Sequence, residues 1–587
     1  MITPMKKYTF LIQSSQYDRF VAQLKEAGVV HVTTKAQGEL ADEELEEALN
    51  KAEEIRHLLK QGCPDQMLKE EADVRARIDV VKMEQRKVAP WGDFDALTLK
   101  QLKEAGHEVH FYTCPSKQFD ANWGVVVKEI SGTTYFITTN LADWQSINDV
   151  ATEVILTKSA KDLETDEAAM TGLLTAAIAR KEAWLMANKE SLEQELSALE
   201  NTINVRQVTL SADEEAGGAL KLLEGFCPVE NCEELERQLA ESACYYEAEE
   251  PQEGDKTPVK LYNNWFTKLF EPLTGMYGWP IYKEFDPTPI LAPFYLLFFA
   301  LCIGDMGYGL LITLVGYLIY KEKLKIDMFD GLGGIIMALG VGCVAVGYLM
   351  GGFFGINLYT ASWFPDWAKV PMFSYWIGDG SGKVLGYDVM MVLAIVIGVF
   401  HICLAMTIKA ISYTMRFGFR QMASTWGWLI LIVGGICTGL LMTTSLISAH
   451  AAGILMVVIG AISALGIYIF NTPGRNPLIN IGAGLWDTYQ MATGILGDVL
   501  SYIRLYALGL AGAMLGAAFN DLGMMVLGDA PGVGSWIGFI AIVVFGHVLN
   551  LLMACLGAFV HPLRLTFVEY FKNSGYEGMG KLYKPFK

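Results

Sequence analysis

The second half of the chain consists of one apolar segment after another, and this limits the folds open to it. Eight such segments follow residue 288, near 289–303, 307–320, 332–354, 389–411, 425–447, 452–470, 488–519 and 536–571. Segments of this length and apolarity are typical of helices that cross a membrane. Only the motif GDMGYG separates the first two, so one broken helix could replace them, which leaves a count of eight or seven.

Charge separates this apolar part from the part before it. Residues 1–287 contain 51 Asp and Glu against 30 Lys and Arg, whereas residues 288–587 contain 13 against 15. We therefore expect an acidic soluble region that does not bind nucleic acid or anionic lipid, joined to a membrane region. The ten cysteines form no C-x-x-C pair, which favours a reduced, cytosolic setting and argues against a metal site or other cofactor.

Alternating strand-like and helix-like patterns predict an α+β dumbbell with a helical rod for the soluble region. Its expected parts are a proximal α/β lobe (1–38 and 216–250), a rod (39–90 and 162–210), a distal α/β lobe (91–160) and a linker (251–287). Leu192, Leu196, Leu199 and Ile203 recur at spacings of four, three and four, which is typical of a coiled coil. Two long helices that flank one insert must run antiparallel. A solvated spacer without a particular role is the alternative interpretation of the rod.

Positive charges alternate between the two sides of the predicted membrane domain (288–587). One side carries Lys321, Lys323, Lys325, Lys409, Arg416, Arg420, Arg475, Lys572, Lys581, Lys584 and Lys587, and the other only Lys369 and Lys383. The positive-inside rule then predicts a multi-pass protein of the cell (inner) membrane with both termini in the cytoplasm. No charged-then-apolar leader precedes Tyr8, which agrees with this orientation.

The seventh apolar segment contains a single permanent charge, Arg504. An arginine near the bilayer centre costs roughly 2.5–3.5 kcal/mol on insertion scales, so a functional role is the default. The helix face before it is polar and the face after it is small and apolar. The members of this face are Gln490, Thr493, Gly497 and Ser501 before the arginine, and Ala507, Leu508, Ala511, Leu515 and Ala518 after it. A polar helix face that leads to a fixed cation, followed by an apolar face, favours a role in ion transport over a role in ligand binding.

The eighth segment repeats this pattern, since Asn550, Gly557, His561 and Arg564 share one face. Arg564 could instead extend to the cytoplasmic interface. The last two segments would form helices of roughly 48–54 Å against a hydrocarbon core of about 30 Å, so they must tilt, kink or project. Pro562 offers a kink in the eighth.

Other polar residues allow two interpretations. Asp498 lies about 120° around the helix from Arg504, so a direct salt bridge is not expected, but it could line a cytoplasmic vestibule. Glu569 could form an ion pair near the membrane–water interface. His401, His547 and Asp305 suit either interhelical hydrogen bonds or an ion pathway.

A phosphate-loop look-alike occurs at 378–383, GDGSGK. Ile377 replaces the required first glycine and Val384 the required Ser or Thr, and the segment lies between membrane spans, so we expect no nucleotide site.

Several motifs resemble those of subunit I, also called subunit a, of the vacuolar and archaeal-type (V/A) rotary ATPases. They are FEPLTGMYGWPIYKEFDPTPILAPFYLLFFALCIGDMGYG, GDVLSYIRLYALGLAGAML, LGAFVHPLRLTFVEYF and the final YKPF. The resemblance runs nearly end to end. It implies eight membrane helices, the last two tilted against a rotating ring of small membrane subunits. ATP hydrolysis or synthesis then takes place on other subunits, so this chain is not an enzyme by itself.

The resemblance also assigns roles. Arg504 corresponds to the stator arginine that faces the ion-binding carboxylate of the ring, and Arg564 to the arginine that assists it. From helix face and topology, the half-channel candidates are Gln490, Asp498, Ser501, His561 and Glu569 on the cytoplasmic side and Asn550 and His547 on the outer side. The implied partners are the rotor ring (c/K type), peripheral-stalk subunits (E/G type), a central-stalk attachment subunit (d/C type) and the lipid bilayer.

Two departures from the eukaryotic pattern concern the outer half-channel. Gly512 stands where eukaryotic relatives carry a histidine, and Ala554 aligns with a glutamate, which favours a prokaryotic enzyme.

Two other classes of protein remain possible from the sequence: a secondary transporter, which would need internal repeats that the sequence does not convincingly show, and a membrane-anchored scaffold, which would not need buried arginines. The ion is a proton or sodium, because the coordinating carboxylate belongs to the ring.

Overall fold

The computed structural model describes residues 2–587 except 35–41, 93, 95, 140–146, 148–149, 157, 241, 243, 253, 322, 325–330, 363, 371–382, 385, 471–476 and 529–531. Most of the phosphate-loop look-alike, together with Lys325 and Arg475, lies outside the described residues. The chain forms two compact units, one of Met1–Thr33 with Glu214–Lys587 and one of Thr34–Asp213.

The described helices are α1 Tyr17–Ala27, α2 Glu43–Gln61, α3 Asp65–Val88, α4 Ala96–Glu104, α5 Ala160–Ser211, α6 Cys232–Leu239, α7 Trp265–Leu269, α8 Glu271–Tyr277, α9 Thr288–Ile303, α10 Met306–Tyr320, α11 Gly333–Met350, α12 Val389–Phe417, α13 Ala423–Thr443, α14 Ala449–Ala464, α15 Pro477–Leu527, α16 Val533–Arg564 and α17 Phe571–Ser574. Two π-helical segments, Leu465–Ile469 and Leu565–Tyr570, follow α14 and α16 directly.

The described strands are β1 Met5–Gln13, β2 His31–Val32, β3 His110–Pro115, β4 Val125–Ile130, β5 Thr133–Thr138, β6 Thr152–Glu153, β7 Asp213–Glu215, β8 Leu220–Pro228, β9 Tyr245–Glu249, β10 Pro258–Val259, β11 Gly352–Phe353, β12 Ile356–Asn357, β13 Lys383–Val384, β14 Tyr387–Asp388 and β15 Lys581–Leu582.

In the unit Thr34–Asp213, α2 and α3 pack antiparallel to the long helix α5. Leu45 and Ala52 of α2 share a buried cluster with Ile203 of α5, and Gln85 of α3 donates to Glu167 at 2.8 Å. A break at Gly62 (φ +76°) and Pro64 divides the charged stretch that the sequence presented as one helical run. Strands β4-β5-β3-β6, which lie between α3 and α5 in the sequence, form an antiparallel sheet.

The other unit contains an α/β lobe built on the sheet β2-β8-β1-β9. Its central pair, β1 with β8, is antiparallel from Met5↔Pro228 to Gln13↔Leu220. The C-terminal residues return to this lobe, because β15 pairs with β10 and Phe586 N–H donates to the Val30 carbonyl at 2.8 Å. The segment after the last membrane helix therefore lies against the α/β lobe.

Six described helical segments are long and apolar enough to cross a membrane: α11, α12, α13, 449–469, α15 and 533–574. The first two predicted spans are the shorter apolar helices α9 and α10, which Gly304 (φ +57°) and Asp305 separate. Helix α9 is a central core element: Tyr295 and Phe298 are fully buried, and Phe298 packs edge-on against His401 of α12 and Tyr502 of α15.

Helices α10 and α11 form an unusually close antiparallel pair. A Cβ atom added at any of five glycines on the two helices would meet a backbone nitrogen of the other helix at 2.3–2.6 Å, and these are Gly309, Gly316, Gly333, Gly340 and Gly347. The three glycines of α11 repeat every seven residues, so they form one stripe. Small residues allow the two backbones to pack this closely. In lipid the hydrophobic effect does not drive helices together, so such close packing is what stabilises the pair.

We expect Gly340→Ala to lower the free energy of unfolding by about 1–3 kcal/mol, the usual cost of an overpacked core. Its Cβ would lie 2.4 Å from the Thr313 nitrogen. Thermal unfolding of the detergent-purified chain measures the effect. Gly439→Ala is the matched control, because nothing lies within 4 Å of that position. Equal melting temperatures for the two variants would contradict this packing.

Candidate ion-translocation site

Arg504 lies near the middle of α15, a continuous helix of 51 residues and about 76 Å. The side chain is half-buried, and its Nη1 atom is buried without a hydrogen-bond partner. Among the described residues, Arg504 forms no ion pair. Arg504 acts electrostatically on Cys302 of α9 and on His561 of α16. A buried guanidinium nitrogen normally has a hydrogen-bond partner, so the Nη1 atom of Arg504 is an exception.

On the N-terminal side of Arg504, acidic and polar groups of α15 meet the end of the last membrane segment. Asp498, which is 8% exposed, accepts a hydrogen bond from Asn573 at 2.8 Å and pairs with Lys572 at 3.6 Å. Glu569 is 2% exposed, lies beside Ser501 and has one carboxylate oxygen, Oε2, without a partner. The structure thus brings together three predicted residues, Asp498, Ser501 and Glu569.

Gln490 does not join this group. It is exposed on α15 two helical turns before Asp498, and no described residue forms a hydrogen bond with its side chain.

His561 of α16 is close enough to both Arg504 and Arg564 for each to act on it electrostatically. Its Nδ1 atom is buried without a partner. Arg564 is exposed at the end of α16, and the helix changes from α to π geometry at the next residue, after Pro562. π-Helical segments frequently occur at functional sites, because the extra residue per turn re-aims side chains.

On the C-terminal side of Arg504, a hydrogen-bond chain joins α10, α15 and α16. Asn550 donates to the Gly512 carbonyl (2.8 Å) and to the Tyr308 hydroxyl (2.9 Å), and that hydroxyl contacts His547 Nδ1 (2.6 Å). His547 Nε2 contacts Asn520 Oδ1 (3.0 Å), and Asn520 donates to the Phe354 carbonyl (2.8 Å). The donors and acceptors of these five hydrogen bonds match when neutral His547 carries its proton on Nε2. The two residues predicted for the outer side, Asn550 and His547, are therefore neighbours.

Asp305, for which the sequence left two interpretations, is a structural cap. Its carboxylate accepts four backbone N–H groups, from Gly307 (2.8 Å), Tyr308 (3.1 Å), Phe354 (3.0 Å) and Gly355 (2.9 Å). One side chain thereby starts α10 and fixes the turn at 352–355 against it. His401 is likewise a core residue, 1% exposed, stacked on Tyr570 and bonded through Nδ1 to the Tyr502 hydroxyl at 2.8 Å.

A cavity of about 310 Å³ lies beside α15 immediately after Arg504. Its wall includes Leu505, Tyr506 and Gly509 of α15 together with Asp305 and Asp388. Tyr506 lies beside Asp388, the N-cap of α12. Polar groups therefore lie on both sides of Arg504 along α15.

The face of α15 beyond Arg504 is open. Ala507, Ala511 and Ala518 are exposed, as are Met514 (65%) and Leu515 (39%), whereas Leu508 contacts the Gly557 position of α16. Within the described residues this small apolar face has no cover, so it is available to lipid or to a membrane partner.

Comparison with known proteins identifies the family. The model of the V-type ATPase 116kDa subunit family matches residues 141–366 and 490–587, more than half of the chain. The chain belongs to this family. Its membrane helices and this membership make it a multi-pass membrane protein. The family match includes Asp305, Arg504 and Arg564.

Individual relatives agree with this assignment. The chain is 32% identical over 426 residues to the A-type ATP synthase subunit I of Methanocaldococcus jannaschii, a match that spans 69% of this chain and 60% of that relative. It is 24% identical to the V-type ATP synthase subunit I of Borreliella burgdorferi and 25% identical to that of Chlamydia trachomatis, each over the whole of this chain and nearly all of the relative.

The sequence did not single out Tyr308, Asn520 or Asn573, which complete the two polar groups. Each carried a weak signal: Tyr308 belongs to the GDMGYG motif, Asn520 ends the arginine-bearing apolar segment, and Asn573 adjoins Lys572.

Proposed function

We propose that this chain is the ion-translocating stator subunit of a V/A-type rotary ATPase. Family membership and the names of the relatives support a non-catalytic membrane subunit of a rotary complex. The role in ion translocation is supported above all by the half-buried Arg504, whose Nη1 atom has no partner among the described residues. A fixed cation beside an uncovered helix face suits a carboxylate that arrives from another subunit.

In the proposed mechanism, an ion enters one half-channel and neutralises a carboxylate of the rotor ring, which can then face lipid. As the ring turns, the positive charge of Arg504 favours the ionised carboxylate, so the ion leaves through the other half-channel. The same charge prevents ions from passing directly between the half-channels. Arg564, which also acts on His561, would add positive potential at this site.

Two polar routes support separate access to Arg504. Asp498, Ser501 and Glu569 would form the cytoplasmic route, with His561 at its inner end. The cavity beside Leu505, together with the neighbouring Tyr308–His547–Asn520 chain, would form the outer route. Both termini would then be cytoplasmic, and the α/β region would contact peripheral-stalk and central-stalk subunits.

We expect Glu569→Gln to slow ATP-driven ion transport on the order of tenfold or more, which is less than the roughly hundredfold minimum for losing a proton-transfer group in catalysis. The variant cannot exchange a proton or bind a cation at the orphaned Oε2 position. Transport into liposomes containing the purified complex measures the effect. Asp521→Asn, which removes an exposed carboxylate of α15, should leave transport unchanged. Equal rates for both variants would remove Glu569 from the route.

A further inference from the structure

The segment before the first membrane helix carries an exposed tryptophan. Trp265 begins α7, and its side chain is 80% exposed. Its neighbours Phe266 and Leu269 pack against the buried cluster that α9 shares with other membrane helices. Tryptophan is highly buried on average, and open tryptophans are enriched at interfaces, where the ring contacts apolar groups and the N–H reaches polar ones.

Two contacts place α7 at the ends of membrane helices. The ring of Phe270, directly after α7, lies 6.4 Å from the ring of Tyr295, two turns into α9. Leu269 Cδ2 lies 2.8 Å from the position that a Cβ atom would take on Gly334, the second residue of α11. Helix α7 therefore lies beside the first turns of α9 and α11, and α11 is long and apolar enough to cross a membrane.

The side chains of Trp265 and Leu269 share one face of α7, because they are four residues apart. Leu269 contacts the start of α11, whose first residue, Gly333, lies against the end of α10: a Cβ atom there would be 2.5 Å from the Tyr320 nitrogen. Tyr317 and Tyr320, both in the last turn of α10, are exposed. Three open aromatic side chains therefore occur at the same end of the membrane helices.

The surface around these aromatic side chains changes from apolar to charged. Leu310 and Leu314, earlier on α10, are exposed apolar residues. Lys268 in α7 and the lysines 321 and 323 directly after α10 are exposed as well. Apolar surface, then tyrosine and tryptophan, then lysine is the order of side chains across a membrane–water interface. Helix α7 therefore lies at the level where acyl chains meet headgroups.

We propose that α7 lies in the membrane–water interface and inserts the Trp265 ring between lipid headgroups and acyl chains. Lipid is the occupant of this surface, because the surface continues directly into the exposed apolar side of the membrane helix α10. The indole offers an apolar ring to the acyl chains and an N–H to the headgroups. Insertion depends on this ring, so it does not require an anionic lipid.

This contact would attach the α/β lobe to the membrane at a point before the first span. Only residues 260–264 lie between α7 and β10, which pairs with β15. Asn263 Nδ2 also donates to the Glu271 carboxylate of α8 at 3.0 Å, which connects the two ends of α7. Part of the linker predicted at 251–287 would therefore touch the membrane and limit tilting of the lobe.

Photocrosslinking of the full chain in phosphatidylcholine liposomes tests the proposal. p-Benzoylphenylalanine replaces Trp265, and mass spectrometry of the irradiated chain measures the yield of lipid adduct. Tyr245, a 68% exposed aromatic residue on β9 beside the exposed Glu247, is the matched control that faces water. Val457 on α14, which is 72% exposed, is the control that faces lipid. We expect on the order of tenfold or more adduct at position 265 than at position 245, since burial of a large apolar side chain favours insertion by at least this factor.

A fluorescence measurement tests the depth and keeps the natural side chain. The difference in emission between the wild-type chain and Trp265→Phe reports this indole alone. We expect lipids that are brominated near the headgroup to quench it more than lipids that are brominated near the ends of the acyl chains.

Equal adduct yields at positions 265 and 245 would overturn the proposal, as would the absence of quenching or the opposite order of quenching. Cross-linking of position 265 to another subunit of the assembled complex, in place of lipid, would overturn it too. Neither readout depends on ion transport, so the outcome is independent of the role proposed for Arg504.

Discussion

Arg504→Ala is expected to give a complex that assembles but does not couple ATP to ion transport. The loss should be at least about a hundredfold, as for other essential electrostatic groups, because the ring carboxylate would no longer be favoured in its ionised form at the boundary between the half-channels. Assembly is measured by co-purification of ATPase catalytic subunits and the small ring subunit. Coupling is measured by ATP-driven transport in liposomes.

Three controls make this result specific. Arg504→Lys keeps a charge and should retain partial transport, although an ammonium cannot reproduce the guanidinium fork. Arg564→Ala should cause a smaller loss than Arg504→Ala, because Arg564 is exposed. Arg420→Ala, an exposed arginine after α12, should have no effect. Normal ATP-coupled transport by Arg504→Ala would refute the proposed role.

The second large effect concerns stability. Asp305→Ala should lower the free energy of unfolding by about 4 kcal/mol or more, because four backbone N–H groups would lose a buried acceptor at roughly 1–3 kcal/mol each. The start of α10 and the turn at 352–355 would separate first. Thermal and denaturant unfolding of the detergent-purified chain would show this loss as a lower midpoint.

Variants that remove different numbers of hydrogen bonds test whether the loss of stability comes from those bonds. Asp305→Asn retains Oδ1, which accepts three of the four N–H groups. Its free energy of unfolding should therefore fall by about half as much as that of Asp305→Ala. Ser448→Ala removes a helix cap with one hydrogen bond, from Ala451 at 3.3 Å, and should cost about 1 kcal/mol or less. If Asp305→Ala costs no more than Ser448→Ala, the carboxylate does not hold this turn.

Local patterns predicted the elements well where one signal dominated. Helix α1, Tyr17–Ala27, is one such element, because its amphipathic run stops at Gly28, which adopts φ +61°. The start of α15 was placed eleven residues too late, since residues 477–487 are a helix of modest hydropathy. The break at Gly62–Pro64 was missed, although glycine and proline are strong breakers, because the charge pattern continues across it.

The sequence predicts some features of the candidate site and not others. A lone arginine in an apolar span is visible in the sequence, and so are the faces that it shares with polar residues. The partners of those residues are not visible, because Tyr308 and Asn550, or Asp498 and Asn573, meet only through helix packing over 242 and 75 residues. Helical periodicity predicts the helix face on which a residue lies. Whether its polar group finds a hydrogen-bond partner depends on the neighbouring segments, which in the described part of the chain supply partners for the Asp305 carboxylate and none for the Nη1 atom of Arg504.

Disulfide cross-linking tests most directly whether Arg504 faces the rotor. Ala511→Cys places a thiol on the exposed face two helical turns beyond Arg504, and a second cysteine is placed beside the ion-binding carboxylate of the ring subunit. We predict that mild oxidation of the assembled complex joins the two subunits. The control Val457→Cys, a 72% exposed position on α14, should give no such product. Cross-linking from position 457 but not from position 511 would contradict the account.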